Sequence, residues 1–174
     1  MIETERLLLR GWTDADRAPF HGMCNDAAVM AFIGPPQSRA ESDAAIDRQL
    51  GFLAHQGHCF WAIERREDGL FLGFCGLKPG AAGTPIEGEI EIGWRLAAAH
   101  WGQGYAQEAA RASLAWGWQH LTVPGIAAIV AEGNARSWGL MERLGMQRAI
   151  DGDFDHAAAI PALRRHRTYR ISRP

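Results

Sequence analysis

One segment in the middle of the chain constrains the fold more than any other. Alternating apolar residues predict a strand over 89–96, a helical stripe follows over about 105–121, and a further apolar run predicts a strand over 126–131. Two strands joined by a helix in this way are expected to be parallel neighbours in one sheet. The loop after the first strand is therefore the expected ligand site.

That loop contains two glycines, Gly102 and Gly104, between the strand and the helix. Glycine permits positive φ and close backbone approach, so successive N–H groups can face an anion beside the positive end of the helix dipole. No Walker ending follows, and Gln107 stands where the dinucleotide fingerprint has its third glycine. The spacing is typical of an anion-binding loop or of a plain tight turn, and does not distinguish them.

The other elements are predicted from caps, turns and periodicity. They are a strand at 6–10, helices begun by Asp16 and by Ser38, a hairpin at 59–77, a helix begun by Asn134 and a final strand pair that includes 165–171. We expect a single α+β domain over residues 1–174, with a central mixed, mostly antiparallel sheet of about seven strands, about four flanking helices and one parallel β-α-β crossover.

Composition excludes several classes of function. The 174 residues include 18 Lys plus Arg against 20 Asp plus Glu, and the scattered cations form no patch for nucleic acid. Three cysteines in or beside apolar runs are typical of reduced thiols, and no stretch of about 18 apolar residues occurs. The histidines lack metal-ligand spacing. We expect a soluble cytoplasmic protein with no metal, nucleic acid or membrane partner.

Several segments resemble the GNAT superfamily of acyl-CoA-dependent N-acyltransferases, and more closely its RimJ/RimL-like branch. The matching segments are the opening strand at 4–10, Glu91-Ile92-Gly93-Trp94 as the fourth strand, 101–106 as the pyrophosphate loop and 134–146 as the last helix. Gly104 and Ala106 match the general family pattern Gln/Arg-x-x-Gly-x-Gly/Ala. Trp101 stands where the pattern has Gln or Arg, a substitution that we associate with this branch.

The resemblance implies acetyl-CoA as co-substrate and acetyl transfer to a primary amine by direct attack in a ternary complex. The acceptor is either a protein N-terminus or a small amine, such as a polyamine, an amino acid or an antibiotic, and the chain is expected to be a monomer or homodimer. A cation for the 3′-phosphate could come from Arg136 or Arg143. The implied acetyl-CoA contacts are Trp94, Leu96, Trp101, Gly102, Gln103, Gly104, Tyr105, Ala106, Asn134 and Ser137.

Acetyl transfer needs a base for the amine and an acid for the departing sulfur. Glu91 matches the family's strand-four carboxylate and is the expected base, although it could instead lie on a solvated face paired with a cation such as Arg95. Many family members carry a tyrosine acid in the last helix, at the position that corresponds to Met141 here. Ser137 is therefore the expected proton donor, or else a serine that only bonds backbone N–H groups of the first helical turn.

Three further residues are expected to bind the acceptor or to serve as alternative bases. Glu89 lies on the same strand face as Glu91, roughly 7 Å away at about 3.3 Å per residue. Asp155 and His156 belong to an acidic segment of the last strand pair, which could receive a cationic amine or be a polar hairpin loop.

Because this chain has Met141 in place of the tyrosine acid of many family members, the sequence leaves a second function open. That function is binding of acyl-CoA without turnover, as a sensor or as a subunit of a complex.

Overall fold

The predicted strands form one mixed sheet in the computed structural model, which describes residues 1–174. The strands are β1 (Ile2–Glu3), β2 (Leu7–Arg10), β3 (Phe60–Arg65), β4 (Phe71–Pro79), β5 (Ile90–Leu96), β6 (Gly125–Ala131), β7 (Gln147–Arg148), β8 (Phe154–Asp155) and β9 (Arg165–Ser172). The α-helices are α1 (Arg17–Met23), α2 (Ala27–Met30), α3 (Arg39–Gln56), α4 (Tyr105–His120) and α5 (Ala135–Arg143). None of these helices has both the length and the apolar character that a membrane-spanning helix needs.

The strands lie in the order β1-β2-β3-β4-β5-β6-β9-β7, and β8 also pairs with β9. Only β5 and β6 are parallel, joined by the α4 crossover, and every other pair is antiparallel. The expected α+β fold with its single parallel crossover is therefore confirmed. The sheet has nine strands rather than about seven because β1, β7 and β8 have two residues each, too few for alternation to show.

The helix signals read from the sequence have the expected geometry. The Ser38 hydroxyl accepts the Glu41 N–H at 3.3 Å, the Glu41 carboxylate accepts the Ser38 N–H at 2.7 Å, and α3 ends at Gly57 with φ 75°. Asp16 precedes α1 as expected, but its carboxylate binds Arg10 at 2.7 Å and the Thr13 N–H at 2.8 Å instead of capping that helix. The buried pair of Asp16 with Arg10 thus joins α1 to β2.

Helices cover both faces of the sheet. Phe20 of α1 packs near Phe74 of β4, with ring centroids 6.2 Å apart, whereas Ser113 of α4 lies 3.7 Å from the Cys75 sulfur. Neighbouring residues of a strand point to opposite faces, so α1 and α4 lie on opposite sides of β4. The close approach of α4 depends on Gly117, where a Cβ atom would lie 2.6 Å from Leu77 Cδ1.

We predict that Leu77→Ala strongly destabilises the fold. Leu77 is fully buried beneath α4, so truncation leaves a cavity and lowers the free energy of unfolding by about 2–5 kcal/mol in urea titrations. Leu70→Ala is the control, because this side chain is exposed and its loss should change stability by no more than about 0.5 kcal/mol. Equal effects of the two substitutions would contradict this account of the core.

Candidate active site

The site is built around a gap between β5 and β6. The two strands pair only at Ile90 with Ile126 and at Glu91 with Ala127, although β5 continues to Leu96 and β6 continues to Ala131. Over the same length β5 stays bonded to β4, and β6 stays bonded to β9. The sheet therefore remains intact on both sides while its two central strands diverge beyond Glu91.

Backbone polar groups of β5 face this gap. The Ala97 N–H donates to the Leu72 carbonyl on the β4 side, whereas the Leu96 carbonyl accepts the Trp101 indole N–H at 2.8 Å. Alternate residues of a strand direct their backbone groups to the same side, so the N–H and C=O of Trp94 share the side of the Leu96 carbonyl. A ligand that enters the gap can thus form hydrogen bonds like those of a missing strand.

The glycine loop lies at the wide end of the gap and is held there by Trp101. Gly102 and Gly104 have φ of 75° and 83°, and α4 begins directly after Gly104. The backbone N–H groups of residues 102–107 donate to no acceptor within the protein. Consecutive free N–H groups at a helix N-terminus fit a pyrophosphate, and the Arg136 guanidinium stacks 4.7 Å from the Trp101 ring beside them.

Glu91 lies where the two strands part. Its side chain is buried and forms an ion pair with Lys78, which faces it across β4 and β5 and is the only lysine in the chain. Lys78 Nζ also donates to the Pro79 carbonyl at 3.1 Å and lies 5.1 Å from the Phe60 ring. The sequence interpretation named Arg95 as a possible partner, which is wrong, because Arg95 makes no contact with any carboxylate.

Glu89 is held by a cation of its own. The Arg170 guanidinium donates to both carboxylate oxygens of Glu89, with Nη2 at 2.7 Å and Nε at 3.0 and 3.1 Å. This interaction raises the pKa of Arg170 and joins the start of β5 to β9. Arg170 occupies both oxygens of Glu89, whereas Lys78 contacts only Oε2 of Glu91 and leaves Oε1 free to accept a proton, so the geometry favours Glu91 over Glu89 as the base.

Asn134 and Ser137 lie at the start of α5, directly beyond the end of β6. Asn134 Oδ1 accepts the Ser137 N–H at 3.2 Å and caps the helix, as the sequence predicts. The half-buried Ser137 hydroxyl forms no hydrogen bond with the protein, so it does not satisfy helix N–H groups and remains available to a ligand. Met141, at the position of the family tyrosine, is buried with 3% of its surface exposed.

Asp155 and His156 lie away from these residues. Asp155 pairs with Arg165 at 3.5 Å, and the His156 ring lies 5.0 Å from the His166 ring, where burial lowers the pKa of His166. Both segments belong to the β8–β9 pair, and β9 stands between β8 and β6. The structure therefore does not bring these two alternative bases together with Glu91.

The partner of Glu91 is the site residue that the sequence did not reveal. Lys78 and Glu91 are 13 positions apart and meet only through the antiparallel register of β4 and β5. Local pattern does not determine the length of the loop between these strands, and a shift by one residue would place Lys78 on the other face. The pairing of Lys78 with Glu91 can therefore be identified only from the register of β4 and β5 in the structure.

Comparison with known proteins agrees with this geometry. Residues 6–147 match the family described as the acetyltransferase (GNAT) domain. The chain belongs to the GNAT acetyltransferase family. It is 34% identical to the uncharacterized protein YkkB of Bacillus subtilis over 83% of this chain and 84% of that protein. The acetyltransferase of Agrobacterium tumefaciens superposes with a TM-score of 0.80 at 27% identity, over 98% of this chain and 92% of that one.

Two more distant structural neighbours contain coenzyme A. RimL, a ribosomal L7/L12 alpha-N-protein acetyltransferase in complex with coenzyme A, has a TM-score of 0.75 at 15% identity, over 97% of this chain and 95% of that one. The spermidine N-acetyltransferase of Vibrio cholerae, in complex with coenzyme A and spermine, has a TM-score of 0.74 at 19% identity, over 98% and 97%. At these identities the likeness shows the fold alone. The family membership identifies the chain as an acetyl-CoA-dependent N-acetyltransferase, while its assignment to the RimJ/RimL-like branch stays a prediction.

We predict that Gly104→Glu weakens acetyl-CoA binding at least tenfold in calorimetric titrations. The new side chain adds negative charge beside the free N–H groups and strains a residue with φ 83°. The matched control is Gly57→Glu, which adds the same charge at φ 75° at the C-terminus of α3, away from the loop. If both variants bind acetyl-CoA like the wild type, the loop is not the anion site.

We also predict that Lys78→Met destabilises the protein because it leaves the buried Glu91 carboxylate without its cation. Breaking one partner of a buried pair costs about 3–5 kcal/mol of unfolding free energy. The double variant Lys78→Met/Glu91→Gln removes both charges and should recover most of that loss in urea titrations. Additive losses in the double variant would show that the two side chains do not interact.

Proposed function

We propose that this enzyme transfers the acetyl group of acetyl-CoA to a primary amine by direct attack in a ternary complex, with Glu91 as base and Ser137 as acid. The observation that carries the proposal is the position of the buried Glu91 carboxylate at the point where β5 and β6 part. A base is useful only where the amine meets the thioester, and the narrow end of the gap brings a carboxylate next to that position.

The cradle for acetyl-CoA is provided by β5, β6 and the glycine loop. The free N–H groups of residues 102–106 hold the pyrophosphate, and the backbone of Trp94 and Leu96 lines the path of the pantetheine between the strands. Trp101 anchors the loop to β5 through the Leu96 carbonyl. Arg136, stacked on Trp101, is the cation available to the 3′-phosphate.

Two side chains, Glu91 and Ser137, transfer the protons. Glu91 accepts a proton from the acceptor ammonium, directly or through one water, and the neutral amine then attacks the thioester carbonyl carbon. The N–H of Trp94, which faces the gap, donates to the carbonyl oxygen as negative charge develops there. The new C–N bond forms as the C–S bond breaks, and Ser137 gives its proton to the departing thiolate. The nitrogen that attacked still carries one surplus proton, which passes to the Ser137 oxygen, directly or through water, so that the amide, the coenzyme A thiol and the Ser137 hydroxyl are all neutral at the end.

The acceptor is either a small amine or a protein N-terminus. Both classes occur by name among the distant structural neighbours, in the spermidine enzyme and in RimL. The amine must in either case reach the carboxylate of Glu91, which Lys78 holds in one position by their ion pair. Lys78 is accordingly a positioning residue for the base.

We predict that Glu91→Gln and Ser137→Ala each lower kcat/KM at least tenfold, measured as release of the coenzyme A thiol in the presence of a panel of amines. Acetyl-CoA binding by calorimetry should stay within threefold for Glu91→Gln, because the carboxylate is assigned to the amine and not to the pyrophosphate. Glu3→Gln and Ser172→Ala change the same residue types at exposed positions and should leave kcat/KM unchanged.

The same assays test the alternative of binding without turnover, which Met141 in place of the family's tyrosine suggests. Wild-type protein that binds acetyl-CoA yet releases no thiol with any amine or N-terminal peptide would support a sensor or a subunit of a complex. Turnover that persists within threefold in both Glu91→Gln and Ser137→Ala would instead refute the assigned base and acid while leaving the transfer itself in place.

A further inference from the structure

A second cavity lies on the sheet face opposite to α4. It has a volume of about 190 Å³. Its walls include four aromatic rings and two arginines, and none of its lining residues is acidic. The residues that matter here are Trp12, Phe20, Phe60, Phe74, Arg48 and Arg95.

The cavity and the carboxylate of Glu91 share one face of β5. Glu91, Gly93 and Arg95 alternate along the strand and therefore point to the same side. Phe60 lies over Gly93 between them, so closely that a Cβ atom at Gly93 would meet the Phe60 ring at 2.6 Å. Phe60 lines the cavity and also lies 5.1 Å from Lys78 Nζ, so the cavity adjoins the Lys78–Glu91 pair.

Arg95 is a half-buried cation without an anion. Its Nη1 atom contacts only the Cys24 sulfur at 3.5 Å and the Met30 sulfur at 3.9 Å, and its guanidinium lies 5.4 Å from the centre of the Phe74 ring. No carboxylate lies within 4.0 Å of it, whereas Arg10, Arg17 and Arg170 each pair with one or more carboxylates. Burial lowers the pKa of Arg95, as expected for a charge that the protein leaves uncompensated.

Other polar groups of the cavity also lack partners. Gln37 Oε1 is buried and forms no hydrogen bond, and Arg48 at the exposed rim forms no ion pair. Buried polar atoms are nearly always satisfied, so the unsatisfied Gln37 Oε1 in the same cavity as the anion-free guanidinium of Arg95 indicates a ligand that completes both. The guanidinium requires an anion with paired oxygens, which a carboxylate provides.

The carboxylates near the gap are already neutralised. Glu91 is paired with Lys78 and Glu89 with Arg170. These pairs leave neither of the two carboxylates at the start of the gap free to hold the second ammonium of a polyamine. The charged side chains that line the cavity, Arg48 and Arg95, are both positive.

We propose that the acceptor is an amino acid with an apolar side chain, whose carboxylate is bound by Arg95 and whose side chain packs among the aromatic rings of this cavity. The inference rests on the proposed transfer to an amine and specifies its substrate. Arg95 is in this account a specificity-determining residue that selects acceptors by charge. Its planar guanidinium, held by Phe74 and the two sulfur atoms, is oriented before the acceptor binds.

The test compares acceptors that differ only in the carboxylate. L-phenylalanine, L-leucine and L-methionine are assayed beside their amides and beside spermidine, with kcat/KM measured from thiol release. We expect each acid to exceed its amide at least tenfold, and Arg95→Met to lower kcat/KM for the acids at least thirtyfold while changing it for the amides less than threefold. Arg95→Lys should restore part of the loss for the acids, because it returns the charge without the planar fork.

Controls separate this inference from folding and from the proposed function. Arg111→Met removes an exposed arginine on α4 that pairs with no carboxylate and should leave both acceptor classes unchanged. Unchanged thermal unfolding and acetyl-CoA binding of Arg95→Met establish that the variant is folded. If the wild type acetylates the amides or spermidine with the same kcat/KM as the acids, the inference is overturned while transfer to amines is upheld.

Calorimetric titration needs no turnover, so it tests the cavity even if the wild type acetylates none of the amines. If the wild type releases no thiol with any amine, the proposed function fails, and calorimetric titration with L-phenylalanine decides the cavity's ligand separately. If Arg95→Met binds L-phenylalanine at least tenfold more weakly than the wild type does, the carboxylate site is supported. Equal binding of L-phenylalanine and L-phenylalaninamide, or none of either, refutes it.

Discussion

The active site depends on the early end of pairing between β5 and β6. After Glu91 and Ala127 the two strands separate, although β4 and β9 keep bonding to their outer edges. Backbone groups along the inner edges are then left for another partner, because unpaired polar groups in a protein interior are costly. The gap is therefore a place where an extended molecule rich in amide groups replaces strand pairing. The Leu96–Trp101 hydrogen bond fixes the glycine loop at its wide end.

The α4 crossover makes the divergence compatible with a stable sheet. Gly117 lets α4 lie directly on Leu77 and on Ile126, so the helix packs against β4 and β6, on both sides of β5. The same helix begins at Gly104, which places its positive end at the mouth of the gap. One element thus stabilises the sheet where the strands pair and presents the anion-binding N–H groups where they do not.

Charge pairing distinguishes the parts of the site. Glu89 and Asp155 each have an arginine partner and contribute to structure, and Glu91 has the single lysine. Arg95 on the same strand has no anionic partner, because its neighbours are sulfur atoms and an aromatic ring. The distribution favours a substrate that carries negative charge into the aromatic cavity and an amine toward Glu91. Family membership alone does not distinguish such a substrate from a polyamine or a protein N-terminus.

The residue pattern by itself determined the local structure and the order of the elements. Caps at Ser38 and Asn134, the hairpin at 59–77 and the strand–glycine loop–helix–strand segment depend on interactions between residues that are close in sequence, so the residue pattern predicts them. Only tertiary structure decided which charges meet. The pairing of Glu91 with Lys78 depends on the register of two strands, and the isolation of Arg95 depends on how α1 and α2 place Cys24 and Met30 over the sheet. Such contacts join residues up to 71 positions apart, and they follow from the packing of helices on the sheet rather than from any local pattern.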